Sequence, residues 1–206
     1  LVLIPILVVA SPPSGKAPIR NFYISSEAMS PTLNKNDRLL AEMRTPARLN
    51  RGMIVMIDMG QAMRNAIYIE RLAALPGDTV EMIDGEFYLN GNVVLRRLVG
   101  EDRIESQTGL HRPVTARRYV EQFPGETGTH EIYDTGRTLG DNFARSTIPA
   151  GHAFVLGDNR DNSADSRFPR SQMGVGIIRI GEIAGVASFI YWRPGEGFVN
   201  IQLNDD

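Results

Sequence analysis

The sequence predicts a mostly β, barrel-like core that carries an inserted second β lobe. Three observations carry that expectation. Short apolar runs recur at close spacing, each bounded by Gly, Pro, Asn or Asp. Two dipeptides, Asp84-Gly85 and Asn90-Gly91, stand between such runs, and residues of this kind take positive φ readily and close tight hairpins. The stretch from about Gly100 to about Ala150 then breaks the rhythm: it is polar, rich in Gly and Thr, and has no clear helical period.

Arg38 to Met43 and Ile54 to Asp58 read as strands separated by Pro46 and Gly52. Ala66 to Leu75 is a longer run that stops at Pro76-Gly77-Asp78, a strong turn signal. Thr79 to Ile83 and Glu86 to Leu89 flank the Asp84-Gly85 turn, and Val93 to Leu98 follows Asn90-Gly91. Ala153 to Leu156, Glu182 to Ala187, Ser188 to Trp192 and Phe198 to Leu203 complete the set.

The 206 residues suffice for one packed domain with an insertion. A net charge of −2 gives no field that would recruit nucleic acid. The chain has no cysteine, so disulfide and thiolate chemistry are excluded. Among its basic residues only Lys16 and Lys35 are lysines. Leu1 to Ala10 is apolar apart from Pro5 and too short to span a bilayer. It reads as the tail of a transmembrane helix or of a cut signal sequence, and Ser11 to Lys16 as a flexible linker.

Four segments carry chemistry: Ser25 to Leu33 (SSEAMSPTL), Arg51 to Ile57 (RGMIVMI), Tyr68 to Asp78 (YIERLAALPGD) and Gly157 to Arg167 (GDNRDNSADSR). In this order they resemble the motifs of the type I signal peptidases, whose serine box has the core Ser-x-Ser-Met-x-Pro-Thr-Leu. Tyr88-Leu89-Asn90-Gly91 resembles the hairpin that follows the lysine box. The last segment is the most specific, because so many small polar and charged residues in one order do not follow from a generic strand and turn. The resemblance runs from about Ile24 to Ala187, with the insert unmatched.

The resemblance implies a signal-peptidase-like barrel, and a serine endopeptidase that removes signal peptides from exported proteins at the outer face of a membrane. A serine hydroxyl is a weak nucleophile and needs a base. The family uses a lysine amine, which has pKa ~10.4 in water and must be desolvated to act near neutral pH. The residue preceding Met-x-Pro-Thr is the nucleophile, and here that position is Ala28. The base position, between Ile69 and Arg71, is Glu70. Ser26 matches the oxyanion hydroxyl and Ser163 the serine that orients the lysine. Asp165 and Arg167 match an ion pair beneath the site. Asp158, Arg160 and Arg71 match supporting positions, and Met29 and Pro31 the substrate groove. Ser25 stands where the family usually has Pro before Ser26, and Gly176 where it usually has Pro after the last box.

As written, the chain lacks both dyad members. Two readings follow: a signal peptidase whose dyad was replaced, or a natural non-catalytic relative that holds peptides or partners in export or surface assembly. Ser26 with Glu70 as its base is a weak third route, because carboxylates rarely activate serine without an imidazole between them. The resemblance implies signal peptides or extended peptides and the membrane surface as partners, no cofactor, and a membrane-anchored domain facing the periplasm or cell exterior. His111, His130 and His152 lack metal-ligand spacing, so no metal is expected. Arg117-Arg118 beside Tyr119 reads as a solvated edge strand. Phe22, Tyr23, Met29, Leu33 and Met53 read either as core or as an exposed rim that dips into a bilayer. The expected organisation is residues 1–20 as anchor remnant and linker, 21–99 as the first core part with the dyad positions, 100–150 as the inserted lobe, and 151–206 as the second core part with the last motif.

Overall fold

The computed structural model describes residues 18–60, 66–105, 113–126 and 128–204. The apolar start Leu1–Ala10, the linker Ser11–Lys16 and His111 lie outside them.

The largest sheet has the path β1 (Ile19–Tyr23), β2 (Arg38–Glu42), β14 (Ile183–Arg193), β3 (Ile54–Asp58), β4 (Ile67–Ala74), β12 (His152–Leu156) and β13 (Ile178–Arg179), with β15 (Gly197–Gln202) paired to β14. Three strands separate β1 from β4, yet Phe22 and Tyr23 of β1 and Ile67 to Glu70 of β4 border one cavity. A flat sheet would hold them strand-widths apart; this one curls until they face each other.

β3 explains the sheet's position in the core. Ile54 and Met56 enter one apolar cluster with Leu33, Leu39 and Ile190, while Val55 and Ile57 enter another with Leu72, Val155 and Ile178. The strand is buried on both faces, so a continuous apolar run rather than an alternating one encodes it. In β12, Phe154 and Leu156 pack with Phe87 and Phe123 in a third cluster, while Val155 points the opposite way.

A second sheet joins β11 (Phe143–Thr147), β5 (Thr79–Ile83), β6 (Glu86–Leu89) and β7 (Asn92–Val93). Its two hairpins close at Asp84-Gly85 and Asn90-Gly91, and all four of these residues have positive φ. That is the conformation the right-handed twist of the strands requires of a two-residue turn. A third sheet consists of β10 (His130–Asp134), β9 (Pro113–Glu121) and β8 (Arg96–Glu105). The 100–150 segment thus supplies most of the third sheet and also β11, which pairs with β5.

Three sequence expectations are corrected here. The two expected runs Glu182–Ala187 and Ser188–Trp192 are one strand, β14 (Ile183–Arg193); register shifts at Ala187/Phe189 and Ile190/Trp192 bend it while it pairs with β2. Val93 to Leu98 is no continuous strand: β7 ends at Val93, Val94 turns inward, and β8 starts at Arg96. Arg117 to Tyr119 lie on the central strand of the third sheet, not on an edge. There Arg117 pairs with Asp134 at 2.6 Å, and Arg96 covers the Tyr119 ring at 4.5 Å.

Candidate functional site

The Ser25–Leu33 segment runs in turns after β1 and is anchored from below. Met29 and Leu33 are buried in the core, so they belong to its packing and not to an exposed membrane rim. Met53 is half-buried against the core, whereas Tyr23 is 60% exposed. Arg193 fixes the end of the segment: it pairs with Asp37 at 2.7 Å and donates to the Thr32 carbonyl at 3.0 Å.

Asp158 joins three distant segments. It accepts from Arg71 Nε and Nη2, both at 2.7 Å, and from the Thr32 hydroxyl at 2.5 Å. Arg71 continues to the Gly52 carbonyl at 2.6 Å. All these groups but Thr32 are buried. Such an ion pair loses much of its Coulomb gain to desolvation, and its value lies in fixing geometry once its remaining hydrogen bonds are made.

The next residue reaches the nucleophile position itself. Asn159 donates its backbone N–H to the Ala28 carbonyl at 2.9 Å and its side-chain amide to the Glu27 carbonyl at 3.1 Å. Gly157 lies beneath: a methyl group there would overlap Ser163 and come within 2.7 Å of the Ala28 carbonyl oxygen. Only glycine allows the loop this close.

Asp165 and Arg167 form the buried pair that the resemblance implied. Arg167 Nε and Nη2 donate to Asp165 at 2.9 and 2.8 Å. Asp165 also accepts from Gly157 N–H at 3.1 Å, and Arg167 donates to the carbonyls of Gly140 and Arg160. The Arg160 side chain instead pairs with Glu121 at 2.5 Å and so ties the loop to the third sheet.

Glu70 is 2% exposed. The Ser163 hydroxyl lies 3.2 Å from each of its carboxylate oxygens. Burial pushes the Glu70 carboxyl well above the ordinary carboxylate range, Asp165 and then Asp158 push it further, and Ser163 and Arg167 only partly oppose them. Its surroundings therefore favour the protonated form.

Glu70 borders a cavity of about 400 Å³, lined also by Ser26 and Ala28 together with Ile24, Ile67 and Ile69. Met29 borders it from the core side; Pro31 does not line it. Glu70 and Ile69 take opposite faces of β4, and both border the cavity because the strand offers it an edge. β4 pairs with β3 along Ile67–Arg71, but β12 covers its other side only from Arg71 onward. Among the described strands, Ile67–Glu70 therefore keep one side of their backbone unpaired. Lys35 is exposed and does not line the cavity, and Lys16 lies outside the described residues.

Thr32, Asn159 and Glu121 carry roles that sequence reasoning did not assign. The first two lie inside the quoted motifs, so the signal was present without the geometry. Glu121 had no signal, since its partner is far away in sequence. A second cavity of about 410 Å³, lined by Arg51, Gly52, Arg71 and Glu126 among others, was also missed. Burial raises the Glu126 carboxyl to about 7. Beside it, His130 is buried and held well below the ordinary imidazole value, first by desolvation. It is a structural histidine, 3.0 Å from Glu126.

The chain is similar in sequence to known proteins. The model of the family described as signal peptidase, peptidase S26, matches residues 1–192. A signal peptidase I of Bacillus licheniformis is 31% identical over 177 residues, which cover 85% of this chain and 77% of that protein. One of Bacillus amyloliquefaciens is 29% identical over 185 residues, covering 86% and 81%. A solved signal peptidase I from Enterococcus faecalis aligns with a TM-score of 0.36 at 26% identity, covering 68% of this chain and 96% of that one.

Proposed function

The chain belongs to the signal peptidase, peptidase S26 family, and from that premise we propose that it holds extended segments of exported proteins, signal peptides among them, without cutting them. The observation that carries the proposal is the pairing of Ala28 and Glu70 on one groove. Acyl transfer needs an oxygen at position 28, and a methyl group has none to offer. A lysine at position 70 would supply a desolvated amine; Glu70 supplies instead a buried carboxyl that its surroundings bias toward the protonated form.

What remains suits binding. The unpaired edge of β4 can take an extended peptide as an added strand, with main-chain hydrogen bonds giving affinity and side-chain pockets giving choice. Ser26 and the Ala28 N–H correspond to the family's oxyanion donors, and on a bound peptide they would donate to a ground-state carbonyl. Among the described residues no helix is long and apolar enough to cross a membrane. The exposed Ile19 and Tyr23 lie on β1, whose end borders the groove. On this reading they face the bilayer where exported segments emerge, with the domain on its outer side.

The test is to measure binding of a labelled signal-peptide segment by fluorescence anisotropy while mass spectrometry follows its integrity. Saturable binding of an intact peptide is expected. Cleavage by the unmodified chain, or no binding, would contradict the proposal.

A further inference from the structure

The charges around Glu70 do not balance. Asp165 is paired with Arg167 at 2.8 Å and Asp158 with Arg71 at 2.7 Å, so two arginines face three carboxylates once Glu70 is included. The side chain hydrogen-bonded to Glu70 is the neutral Ser163. A buried carboxylate in this position is satisfied in one of two ways: it holds a proton, or a cation comes to it.

Resting on the peptide-binding reading above, we propose that the groove selects peptides that bring a lysine side chain to Glu70, and that Glu70 is the residue that determines this choice. The walls leading to Glu70 fit the ligand's shape. Ile24, Ile67 and Ile69 offer apolar surface to a four-carbon stem, and the small side chains of Ser26 and Ala28 leave the space beside Glu70 open. Lysine buries its stem along such a surface and carries its charge on a compact ammonium with three donors. There the ammonium would meet Glu70, whose carboxyl the Ser163 hydroxyl also contacts. Asp165 and Asp158 lie behind them and add attraction that Arg167 only partly offsets. Planar guanidiniums already occupy Asp158 and Asp165 in this loop, whereas among the described residues no cationic side chain lines the cavity beside Glu70.

Binding of lysine and of a proton at Glu70 then compete. The charged groups around the carboxyl are Asp165, Asp158 and Arg167, with Arg71 paired to Asp158, and the Ser163 hydroxyl is hydrogen-bonded to it. As pH rises and Glu70 gives up its proton, a lysine peptide should bind more tightly, whereas an uncharged analogue gains nothing from that ionisation.

The experiment uses the whole chain and N-acetylated, C-amidated peptides of one extended sequence, with lysine or its uncharged isostere norleucine at each position in turn. At one position lysine should bind about tenfold tighter or more, as expected of a charge-assisted contact. The gap should widen as pH rises and nearly close in Glu70→Gln. Equal affinities at every position in the unmodified chain would overturn the lysine proposal and leave peptide binding intact. Failure of every peptide to bind would overturn both. The lysine–norleucine comparison needs no variant, so it stands even if Glu70→Gln folds poorly.

Discussion

The Ser163 hydroxyl lies 3.2 Å from both carboxylate oxygens of Glu70, inside a shell that burial and two further acids make hostile to negative charge. The family's chemistry needs a desolvated lysine at that position. Here the same desolvated environment encloses a carboxylic acid, and its effect on protonation is opposite in sense. A buried lysine loses its proton more easily, whereas a buried acid keeps its proton longer.

The first prediction is a pH dependence. Glu70 is raised in the folded state, so between the ordinary carboxylate value and its folded value the native protein binds more protons than the unfolded chain. Stability therefore falls as pH rises through that window. Glu70→Gln removes this contribution and should melt higher than the parent at alkaline pH, with the difference shrinking toward acid. Thermal melts of both proteins across pH check it. Taking the difference between them cancels the contribution of Glu126, which burial raises to about 7 and which both proteins share.

A second prediction concerns the Asp158 hub. Asp158→Ala leaves Arg71 buried without its carboxylate and frees Thr32. The expected cost is ~3–5 kcal/mol of unfolding free energy. Arg71→Met with Asp158→Leu, which removes both charges and keeps volume, should cost much less. Denaturant unfolding of the single and double variants reads this out.

Gly157→Ala tests the close approach under Ala28. The added methyl overlaps Ser163 and presses on the Ala28 carbonyl. Overpacking of this kind costs roughly 1–3 kcal/mol, and the variant should also weaken peptide binding, because it moves the segment that carries Ser26 and Ala28. Chemical denaturation and anisotropy titration together check the two effects.

Much of this architecture could be read from residues alone. The hairpins at Asp84-Gly85 and Asn90-Gly91 were legible because their local backbone demand is written in the residue types. β3 was legible because burial on both faces leaves an uninterrupted apolar run. The motifs named Ala28, Glu70 and Ser163; in the structure Ser163 contacts Glu70, and Ala28 and Glu70 border one cavity. Long-range pairing was not legible. Nothing local says that Arg160 reaches Glu121, that Arg117 sits on a central strand, or that Asp158 takes donors from both Thr32 and Arg71. The fate of Met29 and Leu33 was open for the same reason. An apolar residue beside a groove fits core or rim equally well until the sheet beneath it is known to curl.

The central claim of the proposed function is that Ala28 and Glu70, and not a distorted scaffold, would leave the chain unable to cleave. The measurement that tests it most directly is cleavage of a fluorogenic signal-peptide substrate by the parent, Ala28→Ser, Glu70→Lys and the double variant. The parent and Glu70→Lys should show no turnover, since neither has the nucleophilic oxygen. Ala28→Ser should show little, because Glu70 is a poor base for the new hydroxyl. The double variant should recover measurable activity, with Ser163 and the buried shell around position 70 holding the lysine neutral. Turnover by the parent that disappears in Ser26→Ala would contradict the account and make Ser26 the nucleophile.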